Sequence, residues 1–212
     1  MMNPKLYFAF ALAVAFLIAH ATGTAVRDVD GDLLRPGVGY YVLPVLRGHG
    51  GGLTLAGRGS ELCPLDIVQE NSEVDDGIPV KFSGWTSRVG FVPESEDLNI
   101  KTDVAATICI QSTYWWIDEF DKQRKQWFVT TGNALRRSGK ESLRSFFKIV
   151  KSRNDYKFVF CPRDCEFCRP ICGDVGIFVD ENGIRRLALS DQPFVVMFKK
   201  ATKETESVSK TV

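Results

Sequence analysis

The stretch from residue 26 to 42, VRDVDGDLLRPGVGYYV, sets three alternating aspartates around a glycine and then runs into an apolar, β-like segment. Asp28, Asp30 and Asp32 around Gly31 resemble the start of a calcium loop. The EF-hand pattern, however, needs glycine at its sixth position, glutamate at its twelfth and flanking helices. Those features are missing, so the aspartates read as turn chemistry with a solvated acidic edge. Tyr40 onward, YYVLPVL, begins a strand.

Working outward, short β-like runs recur along the chain: GLTLA, DIVQ, PVKF, DLNIK, AATICI, YWWID, QWFVTT, FFKIVK, YKFVF, GIFVD, RRLALS and FVVMFKK. They are rich in β-branched and aromatic residues, and turn-formers such as GHGGG, NDYK, DENG and SDQP separate them. About a dozen short strands at this spacing imply an all-β barrel or sandwich. Asn182-Gly183 suits a hairpin turn because this pair tolerates positive φ. In TYWWIDEF the two tryptophans point to opposite faces of a strand. Trp115 is expected in the core, and Trp116 outward and partly buried under a loop.

Upstream, the chain opens MMNPKLYFAFALAVAFLIAHATGTA, with Lys5 the one charge before an apolar run from Leu6 to Ala19. That run falls short of the roughly 20 residues a transmembrane helix needs. A positive start, a short apolar stretch and Ala19-His20-Ala21 describe a secretory signal peptide over residues 1–21. Cleavage after Ala21 is favoured, with Gly23 and Ala25 as alternative ends. The expected destination is secreted, either extracellular or vacuolar.

Export bears on the six cysteines. Thiols in an oxidising compartment pair, whereas cytosolic thiols more often bind metal. The compact Cys161-x3-Cys165-x2-Cys168-x3-Cys172 also lacks the separated ligand pairs of zinc sites. Disulfides are therefore expected. Cys63 and Cys109 stand apart and are expected to pair, closing a loop of about 47 residues worth about 4 kcal/mol in the chain-entropy account. Within the cluster the spacing favours Cys161–Cys172 with Cys165–Cys168, while crossed pairs stay open on spacing alone. The even count predicts no free thiol.

Without Lys5 the chain carries 26 basic and 26 acidic residues. This balance gives no broad electrostatic case for nucleic acid or an acidic membrane. About 190 residues suffice for one domain with a substantial core. Residues 22–200 are expected to form it, and 201–212 to be a polar, mobile tail. His49-Gly-Gly-Gly52 resembles an esterase oxyanion-hole motif. No G-x-S-x-G accompanies it, and His49 is the one histidine after residue 21. A flexible loop explains the glycines, and no enzyme activity or cofactor is expected.

The chain resembles the plant Kunitz-type (soybean trypsin inhibitor) family, most closely its miraculin-like branch. Val26-x-Asp28-x-Asp30-Gly31-Asp32-x-Leu34 followed by Tyr40-x-Val42 matches the family's N-terminal signature. CPLDIVQ, DLNI, YKFVFCP and CGDVGIFVDENGIRRLALSD continue the match in order, while VLRGHGGGLTL and the four-cysteine cluster point to the branch. The resemblance implies a β-trefoil: twelve strands in three pseudo-repeats, a short six-stranded barrel and a hairpin cap. It implies the pairs Cys63–Cys109, Cys161–Cys172 and Cys165–Cys168.

The resemblance also implies inhibition of a trypsin-like serine protease, with a role in defence, through an exposed loop between the fourth and fifth strands. In FSGWTSRVGFVPESED (residues 82–97) it puts the scissile bond at Arg88–Val89, flanked by Thr86, Ser87 and Gly90. Read by its letters alone, Arg88 is a solvated loop residue. Two departures stand out: Pro36 aligns with an asparagine that braces the loop in inhibitors, and the segment before Arg88 is about one residue longer. The cysteine that joins miraculin subunits has no counterpart, so a monomer without an interchain disulfide is expected. The alternative function is a non-inhibitory storage or stress-responsive protein on the same scaffold. Lectin-type trefoils repeat Gln-x-Trp, which is absent here.

Overall fold

The computed structural model describes residues 24–59, 61–84, 89–132, 143–162 and 171–202. The leader at 1–21 and the tail from 203 lie outside the described residues. Strands β1 (Gly39–Pro44), β2 (Leu53–Arg58), β3 (Glu61–Gln69) and β4 (Val80–Gly84) set a pattern that recurs twice. The second unit is β5 (Leu98–Thr102), β6 (Tyr114–Ile117), β7 (Val129–Gly132) and β8 (Phe147–Ser152). The third is β9 (Asp155–Phe160), β10 (Gly173–Val179), β11 (Arg185–Ser190) and β12 (Val195–Lys200).

In each unit the outer strands pair with one another: β1 with β4, β5 with β8, β9 with β12. The inner strands form hairpins: β2–β3, β6–β7 and β10–β11. Units are joined through β4–β5 and β8–β9, and β12 returns to β1. The six outer strands thus close a ring without a free edge. The hairpins cap it, with β3 pairing both β7 and β11. The fold is a β-trefoil.

Period-two alternation fills the ring. Tyr40 and Val42, Val80 and Phe82, Leu98 and Ile100, Phe147 and Ile149, and Val196 and Phe198 are all buried in one core. Phe198 packs edge-on against Phe82 at 5.5 Å and against Phe158 at 6.0 Å, near the spacing aromatic pairs prefer. Trp115 is fully buried, and its indole N–H donates to Thr102 Oγ1 at 3.1 Å. Trp116 is only 8% exposed, more deeply covered than the alternation suggested.

The expected strand AATICI (105–110) is not a strand. Its main chain turns instead, with Ile110 N–H bonded to Thr107 O, and Cys109 is joined to Cys63. Ile110 sits at φ 48° and is 95% exposed, so the alternating isoleucines there do not mark a buried face. A second disulfide joins Cys161 and Cys172 across the β9–β10 connection. Cys165 and Cys168 lie outside the described residues.

The glycine run also reads differently in three dimensions. Gly51 and Gly52 are buried, and a Cβ on Gly52 would stand 1.9 Å from Asp76 O. Gly52 accepts from Glu70 N–H and donates to Asp75 O. Close backbone packing, rather than flexibility, requires glycine there. Among the described residues no helix is long and apolar enough to cross a membrane.

Candidate functional site

The loop singled out by sequence leaves β4 at Gly84 and enters β5 at Leu98, and these two residues are register partners. Its stems are therefore locked together at the rim of the ring. Thr86, Ser87 and Arg88 lie outside the described residues. Val89 is 40% exposed. Gly90 is exposed too, with open space around it, Phe91 is half-buried and Val92 is buried. Over three residues the chain thus passes from solvent into the core.

Val92 is clamped by the N-terminal segment. Its N–H donates to Leu34 O at 2.8 Å, and its carbonyl accepts from Val26 N–H at 2.9 Å. Leu34 N–H closes the set by donating to Val26 O at 2.9 Å. All three side chains are buried, so water does not compete for these bonds. Two residues on, Glu94 N–H donates to Thr24 O at 2.7 Å.

The segment is itself fastened to the barrel. Arg27 N–H donates to Tyr156 Oη and Arg35 N–H to Tyr40 Oη, each at 3.0 Å. Burial pushes the Tyr40 hydroxyl up from 10.0, so it stays a neutral acceptor for Arg35 N–H. Asp28 Oδ1 accepts from Asp30 and Asp32 N–H, and Gly31 takes φ 85°. The three aspartates shape a turn.

The incoming limb is held from the other side. Val38 N–H bonds to Arg35 O at 3.3 Å and Gly37 has φ 76°, so Pro36 occupies the second position of a type II turn. Gly37 N–H then donates to Phe82 O on β4 at 3.0 Å. Both limbs therefore rest on main-chain bonds from residues 24–37. A hollow of about 490 Å³ beside Gly90 and Phe91 is walled by Arg27, Arg35 and Lys200 with Asp32. Among the described residues no three His, Cys, Asp or Glu side chains converge as metal ligands would.

Residues 26–200 match the legume-type Kunitz family described as trypsin and protease inhibitor. The chain belongs to the Kunitz family. It is 63% identical over 212 residues to Kunitz trypsin inhibitor 4 of Arabidopsis thaliana, covering all of this chain and 97% of the relative. Miraculin of Synsepalum dulcificum is 41% identical, over 94% of this chain and 96% of its own. Among solved structures, soybean trypsin inhibitor complexed with porcine pancreatic trypsin superposes with a TM-score of 0.69 at 34% identity, covering 84% of this chain and 100% of the other.

In this Kunitz chain the alternating letters of residues 26–34 served as a family signature. Their work in clamping Val92 escaped a reading by letters. The signal was present: Val26 and Leu34 are apolar residues bracketing an acidic turn, which is how a small hairpin buries its ends. His49 is exposed on a separate loop.

Proposed function

We propose that this Kunitz chain inhibits a trypsin-like serine protease by presenting the β4–β5 loop as a substrate it does not release. Arg88–Val89 is the bond offered, with Thr86, Ser87 and Gly90 extending the contact. The observation that carries the reading is the double main-chain clamp on Val92, three residues past that bond. A loop fixed in advance enters a protease cleft with little ordering cost. If the bond is cut, the new amine stays beside the acyl-enzyme and re-forms the peptide.

On this reading the chain is an inhibitor and not an enzyme. The leader at 1–21 sends residues 22–200 and the polar tail 201–212 to the extracellular space or the vacuole, as a monomer acting in defence. Titrating trypsin with the purified chain starting at Thr22 should abolish activity at a one-to-one ratio. Rapid cleavage with no loss of trypsin activity would sink the proposal. That result would favour a non-inhibitory storage or stress-responsive role, for which Pro36 in place of a bracing asparagine is the supporting observation.

The same reading gives three intrachain disulfides, Cys165–Cys168 completing the set. Thiol titration of the denatured, unreduced chain should find no reactive thiol. Two or more would overturn the pairing.

A further inference from the structure

On β8, Phe147 and Ile149 point into the core, so Lys148 between them points away from it. An outward lysine is ordinarily solvated, yet the Lys148 side chain is only 8% exposed. Its ammonium lies 2.5 Å from Asp97 Oδ1, and the Asp97 side chain is 11% exposed. Asp97 is the last residue of the β4–β5 loop. The same ammonium donates to the carbonyl of Cys161, the residue joined to Cys172. One position along, Ile149 O accepts from Ser95 N–H at 2.8 Å. The outgoing limb of the loop is therefore riveted to β8 twice, and one rivet also reaches the disulfide-closed β9–β10 connection.

We propose that Lys148 is a positioning residue for the protease-facing loop, and that it ties the loop's rigidity to the Cys161–Cys172 disulfide. The inference rests on reading the β4–β5 loop as inhibitory. A buried ammonium needs its partners, and this one has a carboxylate and a carbonyl. The disulfide fixes the carbonyl, the carbonyl orients the ammonium, and the ammonium holds Asp97 where the loop meets β5. Loss of any link leaves the outgoing limb held by the Val92 clamp and the main-chain bonds of Glu94 and Ser95, without the Lys148 tie that fixes Asp97 where the loop meets β5. The loop then gains conformational freedom, and a clipped bond re-forms less often than it is released.

The test compares wild type with Lys148→Met, Lys148→Arg, Asp97→Asn, the paired Cys161→Ser and Cys172→Ser replacement, and that pair combined with Lys148→Met. Two quantities are read: the Ki for trypsin and the rate at which the chain is cut on long incubation. Lys148→Met should weaken inhibition about tenfold and speed cutting to match, and Lys148→Arg should restore most of both. The cysteine pair should produce a similar loss, and adding Lys148→Met to it should cost less than about threefold more. Asp97→Asn keeps the shape of the side chain and decides the matter if Lys148→Met does not fold. Asp180→Asn, in the cap, is a stability control whose melting point should fall without a change in Ki.

Unchanged Ki and cutting rate in Lys148→Met would overturn the proposal. So would a loss that Asp180→Asn reproduces at equal destabilisation, since Lys148 would then matter only for general stability. Additive losses would break the link to the disulfide. If wild type itself is cut without inhibiting trypsin, the proposed function fails. The ratio of cutting rates between Lys148→Met and wild type still decides the positioning role.

Discussion

Arg88→Ala is expected to weaken trypsin inhibition about a thousandfold while the melting temperature stays within about 2 °C of wild type. The size follows from the role proposed for Arg88. A trypsin-like pocket ends in a buried carboxylate, and a guanidinium fits it with paired, charge-assisted hydrogen bonds. Truncating such an anchor removes the central contact of the interface, where losses of about 4 kcal/mol or more are found. Stability should hold because a substitution outside the core and its charged networks changes folding little. Measured Ki values and melting curves for the two proteins check both halves. Equal inhibition by an active wild type and by Arg88→Ala would remove Arg88 from the role.

Arg186→Met should destabilise the fold by about 3–5 kcal/mol, seen as a fall of roughly 10 °C in Tm. Arg186 is fully buried in the cap. Its Nε donates to Asp180 Oδ2 and its Nη1 to Asp66 Oδ2, each at 2.8 Å, and its Nη2 donates to Gly57 O at 3.0 Å. Asp66 also receives Arg58 through two bonds, and Arg58 reaches Asp118 at 3.0 Å and covers the Phe128 ring. Arg58 and Asp66 come from the β2–β3 hairpin, Asp118 follows β6, and Asp180 and Arg186 belong to β10–β11. One charged hub thus holds all three hairpins. Removing Arg186 leaves the buried Asp180 carboxylate without its cation and Asp66 with Arg58 alone, which costs far more than the network contributes as a whole.

Acid should reach the same hub. Burial alone would raise the Asp180 carboxyl. Hydrogen bonds from Arg186 and from Ile184 and Asn182 N–H outweigh it and hold the group below 3.8. A carboxyl lowered by folding stabilises fully above its unfolded value and loses that contribution as pH falls through the folded one. Asp180→Asn should therefore melt well below wild type at neutral pH, with the gap narrowing as acid protonates the Asp180 carboxyl of the wild type. A gap that stays constant across this range would count against the hub as the acid-sensitive element.

The strands were legible in the letters because period-two apolar runs between turn-formers have few other ways to bury themselves. AATICI misled because its alternating isoleucines serve a disulfide-held turn, a tertiary fact that periodicity does not carry. Ring closure was not legible from pattern either. The pairing of β1 with β12 joins residues such as Val42 and Phe198, and only the family resemblance supplied it. Arg186 and Asp66 escaped notice because charges in RRLALS and DIVQ read as solvent-facing, and only their mutual pairing lets them be buried. At the loop, Arg88 and its neighbours could be singled out by alignment of letters. The supports could not: Lys148 looks like any exposed lysine on a strand, and Val92 like any loop valine.

The clamp on Val92 begins at the first of the described residues. Thr24 O takes the Glu94 N–H, and Ala25 bridges Pro93. A leader cut after Ala21 would leave both contacts intact. A cut after Ala25 would delete them and set a new ammonium on Val26, whose N–H must donate to Val92 O. Trimming by four residues would then change the potency of the product without touching the loop that meets the protease. If the proposed leader is removed in this way, accuracy of processing becomes a determinant of dose, and two preparations with identical reactive bonds could differ in strength through their first residues alone.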